Sequence, residues 1–483
     1  MLKRYFVTFL AIASASKSNA QVASNLFQAG PVISVTTGSS ISDAAAGDFN
    51  HDGLPDVAVT ARARNVVELY RQTALGVFST TPVGTYTTGT APSSLIATTL
   101  GRLVTQSDYV LDDLVAVSGP SNQLSFFVNN NDAQGTMTVA TPAGFYPSSW
   151  WSTDPKLVAA YIDTDQFLDV AYTHDAARTD DLGIGVWRGQ GSPSIRRTTF
   201  LMTTRTGVPA LPSFYDMDGD GGLDLITVDK TNNAAVAHYY TFGQFWYNMQ
   251  DGAGVLCQSG QAVSAASADL NADSRGDFAV ATANPNKVEV WLNTGVDRFG
   301  SLATYALPSA PQQVLLADLN KDSYPDMVVL LANGNVTIFP HTGQSGAGRY
   351  GTPQVLPVGP TPGPLRMADV DNDTYQDLYV ACAGNDKVYI LRNVGRPLAT
   401  KRTAQLAGTY IYPNPATSVV RVTRPANLVG PLTDSLFDAT GRQVLQQVIA
   451  STGTLLVSQL PRGIYTLKVN HVTGVSTSRL VLQ

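Results

Sequence analysis

Short apolar runs recur along most of this chain, and seven of them open on an aspartate. They are Asp56-Val-Ala-Val, Asp113-Leu-Val-Ala-Val, Asp169-Val-Ala-Tyr, Asp224-Leu-Ile-Thr-Val, Asp277-Phe-Ala-Val, Asp326-Met-Val-Val and Asp377-Leu-Tyr-Val. Runs this short, rich in β-branched and aromatic residues and bounded by turn formers, predict strands. The opening aspartates stand 57, 56, 55, 53, 49 and 51 residues apart. In the fifth interval the pattern predicts strands at Val263–Ala268, Phe278–Ala283, Val288–Asn293 and Ser301–Leu307. Four strands per unit at a period near 50 residues is the pattern of propeller blades. The expectation is all-β: a seven-bladed β-propeller over residues 21–395.

The seventh unit ends after Val388–Asn393 without a fourth strand, while a strand-like piece, Phe27–Thr37, precedes the first loop. That N-terminal strand is expected to complete the last blade, because an open ring would expose an unpaired edge.

Ahead of each apolar run lies an acidic nine-residue loop. Five copies are intact: Asp48, Asn50, Asp52, Asp56; Asp216, Asp218, Asp220, Asp224; Asp269, Asn271, Asp273, Asp277; Asp318, Asn320, Asp322, Asp326; and Asp369, Asp371, Asp373, Asp377. Oxygen side chains at positions 1, 3, 5 and 9 of a tight loop converge on one point, the all-oxygen arrangement that Ca²⁺ prefers. A backbone carbonyl at position 7 (Leu54, Gly222, Arg275, Tyr324, Tyr375) would add a ligand. The expectation is about five structural Ca²⁺ sites. They are not EF-hands, because position 12 holds Val59 or Thr227 where a bidentate Glu is required. Position 6 calls for left-handed backbone, so the loops with Gly53 and Gly221 are expected to bind more tightly than those with Ser274, Ser323 or Thr374. Two copies depart from the pattern and are not counted among the sites: the second (Thr105, Ser107, Tyr109) and the third (Tyr161, Asp163, Asp165, Gln166, Asp169).

Composition agrees. Glu68 and Glu289 are the sole glutamates, and the other acids are loop-favouring Asp; 41 Gly and 27 Pro punctuate the chain. A net charge of −6 with no basic stripe excludes nucleic acid as a partner. Lys3 and Arg4, the apolar run Tyr5–Ala15 and the small residues Ser18-Asn19-Ala20 read as a signal peptide over residues 1–20. No later stretch is apolar enough for a transmembrane segment. Cys257 and Cys382 fall in different repeats, too distant in sequence to suggest a bridge, and are expected to be buried free thiols.

These loops, followed by Asp-Val-Ala-Val strands, resemble FG-GAP/VCBS-type repeats, the family that includes integrin α-subunit propellers. From about Gly408 a different pattern begins. Tyr412-Pro413-Asn414-Pro415, Asp438-Ala-Thr-Gly441-Arg442 and Pro461-Arg-Gly463-Ile-Tyr465 appear in order, before Arg479-Leu480 near the end. Alternating strands with Pro and Gly turns predict a small β-sandwich, Ig-like, over residues 408–483, joined by a linker at 396–407. The three motifs resemble the type A sorting domain of type IX secretion in Bacteroidetes; Arg479 stands where Lys is usual. The resemblance implies export through the outer membrane by the type IX machinery, then release or surface attachment.

No nucleophile elbow, zinc motif or phosphate loop occurs, and His51, His174, His238, His341 and His471 lack ligand spacing. The best uncommitted polar group is His174-Asp175-Ala-Ala-Arg178-Thr-Asp180-Asp181, which reads as a solvated loop. Arg275-Gly276-Asp277 spells an adhesion tripeptide, but its Asp is committed to a loop. Tyr146 with Trp150-Trp151, and the run Tyr239 to Tyr247, offer aromatic faces for a ligand. The expected function is a secreted or surface-bound, Ca²⁺-stabilised binding or adhesion module with an extracellular protein or glycan ligand, and no catalysis. The alternative is a lectin or polysaccharide-degrading enzyme on the same propeller.

Overall fold

The computed structural model describes residues 26–98, 112–121, 123–140, 154–160, 169–174, 183–188, 196–198, 212–219, 221–229, 233–241, 244–246, 254–257, 259–295, 298–343, 350–395, 404–405, 410–423, 432–437, 443–449, 453–471 and 474–483. The expected signal peptide lies outside them, as does most of the linker. The chain divides into two compact units, Asn25–Arg396 and a C-terminal one that begins at Pro397.

Each second strand of the larger unit starts on the aspartate that closes its loop: Asp56–Ala61, Asp113–Ser118, Asp169–His174, Asp224–Asp229, Asp277–Ala283, Asp326–Leu331 and Asp377–Cys382. Around these form seven antiparallel sheets among the described residues. Six are four-stranded, and the fourth carries an extra strand, Gly254–Leu256. The fifth sheet comprises Gln261–Ala268, Asp277–Ala283, Lys287–Gly295 and Arg298–Ala306, within a few residues of expectation. Phe27–Ser34 pairs antiparallel with Lys387–Asn393, so the N-terminal strand does complete the seventh sheet.

The second strands are continuous apolar runs because both faces of a sheet are covered. Val329 and Leu331 pack towards the fifth sheet with Ala279 and Val290, whereas Val328 and Leu330 pack towards the seventh with Val380 and Leu391. One cluster joins the seventh sheet to the first through Ala381, Ile390, Val57 and Val59.

The first strands are stitched by polar side chains that the sequence pattern did not single out. Asp43 Oδ2 accepts the N–H of Leu95 (3.0 Å), and Ser94 Oγ that of Leu157 (3.1 Å). Ser264 Oγ accepts the N–H of Val314 (3.1 Å), and Gln313 Oε1 that of Leu365 (2.8 Å). Each bond links one sheet's first strand to that of the next. Arg366, on the first strand of the seventh sheet, reaches three others: Asp43 Oδ2 (2.6 Å), Ser94 Oγ (3.0 Å) and the Leu157 carbonyl (3.2 Å). Asp43 is fully buried, so this ion pair sits where four first strands converge.

In the C-terminal unit a five-stranded and a three-stranded sheet share one core, with Val420, Val422 and Leu455 facing Leu436, Leu467 and Leu480. Asn414 of the Tyr-Pro-Asn-Pro motif holds the last strand, donating to the Arg479 carbonyl (2.7 Å) and accepting the N–H of Val481 (2.9 Å). Tyr465 of the Pro-x-Gly-x-Tyr motif donates back to the Pro461 carbonyl (2.7 Å). Two of the three quoted motifs thus include turns that fix strand ends; the Asp438–Arg442 turn lies outside the described residues.

Candidate functional site

The acidic loops join first to second strands and share one hydrogen-bond pattern. The position 1 carboxylate accepts the N–H of position 6 in all five: Gly53 on Asp48 (3.0 Å), Gly221 on Asp216 (3.0 Å), Ser274 on Asp269 (2.6 Å), Ser323 on Asp318 (2.8 Å) and Thr374 on Asp369 (2.8 Å). The position 5 carboxylate accepts the N–H of position 7 from Leu54, Arg275, Tyr324 and Tyr375, at 2.8 to 3.0 Å. Asp220, position 5 of the fourth loop, lies outside the described residues.

Position 6 is left-handed in all five, with φ of 81° at Gly53, 90° at Gly221, 64° at Ser274, 71° at Ser323 and 75° at Thr374. Position 4 is left-handed as well, at His51, Gly219, Ala272, Lys321 and Asn372. It leaves no mark in the sequence, because those five residues share no chemistry. A left-handed non-glycine residue costs about 1–2 kcal/mol, so each loop with Ser or Thr at position 6 holds two strained residues.

Position 9 does a different job. Asp377 accepts the N–H of Val370 at position 2 (3.0 Å) and that of Asn393 at the end of the third strand (2.7 Å). Asp277 does the same with Leu270 (2.8 Å) and Asn293 (2.7 Å), and Asp326 with Leu319 (3.2 Å) and His341 (2.7 Å). Asp56, Asp113, Asp224, Asp277, Asp326 and Asp377 are all fully buried. Burial, with the neighbouring loop acids, pushes Asp56, Asp277, Asp326 and Asp377 up to about 7. Burial of Asp277 also excludes display of the Arg275-Gly276-Asp277 tripeptide.

Among the described residues, the structure brings three acids together in two loops. Carboxylate oxygens of Asp216, Asp218 and Asp224 lie within 4.8 Å of one another, as do those of Asp369, Asp371 and Asp373. In the other three loops position 3 is Asn50, Asn271 or Asn320, whose Oδ1 accepts the N–H of position 5. The donor set fits a hard cation. Asp48 Oδ1, Asp56 Oδ2 and Asp371 Oδ1 are buried without any hydrogen-bond partner, and an unpaired buried carboxylate oxygen is costly. The seventh loop has internal relief, since the Arg392 guanidinium donates through Nε to Asp371 Oδ2 (2.6 Å).

The remaining candidates are separated by position. Thr105, Ser107, Tyr109, Asp163, Asp165, Asp175, Arg178, Asp180, Tyr146, Trp150, Trp151, Phe242 and Tyr247 lie outside the described residues. Both cysteines are free, but Cys257 is half-buried where full burial was expected, because it follows the short extra strand at the sheet margin. Cys382 is buried.

Comparison with known proteins accounts for the loops and the tail. The FG-GAP repeat family fits residues 41–75, the FG-GAP-like repeat fits 269–329 and 318–380, and the secretion system C-terminal sorting domain fits 410–483. The chain carries FG-GAP repeats and a sorting tail. No curated protein matches it in sequence. Among solved structures, BBS1N, crystallised in complex with ARL6DN, is similar at 11% identity over 76% of this chain and 97% of its own, with a TM-score of 0.50. A lectin of Agrocybe aegerita that recognises non-reducing terminal N-acetylglucosamine is 14% identical over 70% of this chain and 84% of its own, TM-score 0.43. YCF48 from Cyanidioschyzon merolae is 11% identical over 76% and 98%, TM-score 0.42. At such identities the likeness concerns fold alone, and only the first is close enough to support the propeller-like architecture. The sorting tail marks an exported protein, secreted or attached at the outer surface. No helix among the described residues is long and apolar enough to cross a membrane.

Proposed function

We propose that this exported protein is a Ca²⁺-stiffened, seven-bladed propeller that serves as a binding or adhesion module outside the cell. Its C-terminal domain at 408–483 addresses it to the type IX machinery, and the ligand is an extracellular protein or glycan. The observation that carries the cation reading is the set of buried, unpartnered carboxylate oxygens in the loops: Asp48 Oδ1, Asp56 Oδ2 and Asp371 Oδ1. Acids about 4 Å apart repel by roughly 1–4 kcal/mol per pair at effective dielectrics from water to protein surface. A divalent ion in each of about five loops relieves that repulsion and supplies the missing partner. Positions 1, 3, 5 and 9 would hold it with the position 7 carbonyl. A stiff ring of loops then serves display, since binding residues sit best on loops held by a rigid scaffold. Calcium titration of the full chain by calorimetry tests the reading. About five sites of micromolar or tighter affinity support it, and no heat of binding at millimolar calcium overturns it.

A further inference from the structure

Sixteen residues beyond the ninth-position aspartate stands an amide side chain, in four of the sheets: Gln72, Asn129, Asn293 and Asn393. His341 takes the place in the sixth, fifteen residues on. Its backbone N–H donates to its own sheet's ninth carboxylate, at 2.7 or 2.8 Å in every case. In three sheets, among the described residues, the side-chain amide also bridges two loops. Gln72 Nε2 donates to the Pro55 carbonyl at position 8 of its own loop (2.8 Å) and to the Val370 carbonyl at position 2 of the seventh loop (3.1 Å). Asn393 Nδ2 donates to the Gln376 carbonyl (3.1 Å) and to that of Leu319 in the sixth loop (2.7 Å). Asn129 Nδ2 donates to the Asp112 carbonyl (3.2 Å) and to that of Phe49 in the first loop (2.8 Å). Gln72, Asn129 and Asn393 are all fully or almost fully buried.

Two of the three position 2 residues that receive this bond are anchored on their other side too. Val370 donates its N–H to Asp377, and Leu319 donates to Asp326. A continuous buried path therefore runs from Asp326 through Leu319, Asn393, Asp377, Val370 and Gln72 to Asp56. A second path crosses the loop surfaces. Lys321 Nζ at position 4 of the sixth loop donates to Thr374 Oγ1 at position 6 of the seventh (2.6 Å), and Asn372 at position 4 of the seventh donates to the Gly53 carbonyl of the first.

We propose that Gln72 and Asn393 are each a positioning residue for two cation loops at once, that of their own sheet and that of the preceding one, so that the sixth, seventh and first loops bind calcium as a coupled set. This rests on the calcium reading above. Positional coupling follows from geometry: an ion that orders one loop fixes a carbonyl whose partner holds the next ninth carboxylate, and linkage makes the effect reciprocal.

The test is hydrogen exchange with mass-spectrometric readout of loop peptides from the full chain, across a calcium titration. Gln72→Met is expected to move the calcium midpoint for protection of residues 369–377 at least fivefold upward. It leaves residues 269–277 within twofold, because the fifth loop has no bond to Gln72. Gln72→Asn, which installs the side chain found at 129 and 393, restores the 369–377 midpoint to within twofold. A uniform shift of every loop, or no shift at 369–377 while calcium still protects it, overturns the coupling alone. No protection of any loop by calcium overturns the calcium reading and the coupling together.

Discussion

The larger unit buries acids in two regions and surrounds them in two different ways. Where the first strands converge, Asp43 is fully buried and paired with Arg366, with Ser94 Oγ and the Leu95 N–H completing its shell. In the acidic loops each intact copy holds three or four carboxylates, and among the described residues the fifth offers them only the exposed Arg275, 3.8 Å from Asp273. The fold pairs the acid of one region from within, whereas the proposed partner of the other is a cation from solvent. The seventh loop stands between the two, because Arg392 takes one oxygen of Asp371. Stability at the convergence is thus expected to be indifferent to calcium, and stability of the loops to depend on it.

The largest effect should come from Arg366→Met. It strands Asp43 as an uncompensated buried charge, which costs about 3–5 kcal/mol. Urea unfolding should show the same loss with calcium and with chelator; a loss that calcium rescues would break the contrast. Asp113→Ala comes next. The second repeat has a degenerate loop, yet Asp113 still accepts the Asn129 N–H at 2.7 Å. Removing that acceptor leaves a buried donor unpaired, a cost of about 1–3 kcal/mol, again independent of calcium. This variant separates the two roles of the motif, since only the sheet-clamping role survives there.

A pH control is His238→Gln. Burial holds His238 down to about 3, and its Nε2 lies 2.8 Å from Thr227 Oγ1. A folded-state value below the unfolded one means that its stabilisation is present above about pH 6.5 and is lost as pH falls towards 3. Between pH 7 and 5 the loss is about 2 kcal/mol. The variant should lack that part of the acid sensitivity, as read from melting across the range. Acid sensitivity equal to wild type would contradict it. Smaller still is Arg392→Met. The guanidinium is partly exposed, so chelated protein should lose at most about 1 kcal/mol. Calcium binding at the seventh loop should tighten severalfold because a competing cation is gone, as calorimetry would measure.

Sequence made the period, the ninth-position aspartates and the N-terminal closing strand legible, because all three recur in register with the hydrophobic pattern. Left-handed backbone at position 6 was also readable from Gly53 and Gly221. Position 4 was not, because His51, Gly219, Ala272, Lys321 and Asn372 betray no common preference. Nor were the stitches between first strands, which use Asp43, Ser94, Ser264 and Gln313 for one task. A shared acceptor function leaves no single-residue signature. The Arg366–Asp43 pair spans 323 positions, and no local pattern reports such a meeting. The bridging amides left a trace that spacing could have found, an Asn or Gln sixteen residues after the aspartate, but it sits beyond the strand on which the repeat was counted.

The most direct measurement is differential scanning calorimetry of the full chain at pH 8, in millimolar calcium and in excess chelator. Without a cation the ninth-position acids are raised to about 7 by burial, above their unfolded values, so the metal-free protein loses stability as pH rises from about 4 to 7 and calcium's contribution is largest at pH 8. Several sites filled at a hundredfold over Kd contribute about 2.7 kcal/mol each. The main transition is therefore expected to fall by about 10 °C or more on chelation, and by less at pH 5.5. Superimposable transitions with and without calcium at pH 8 would contradict it.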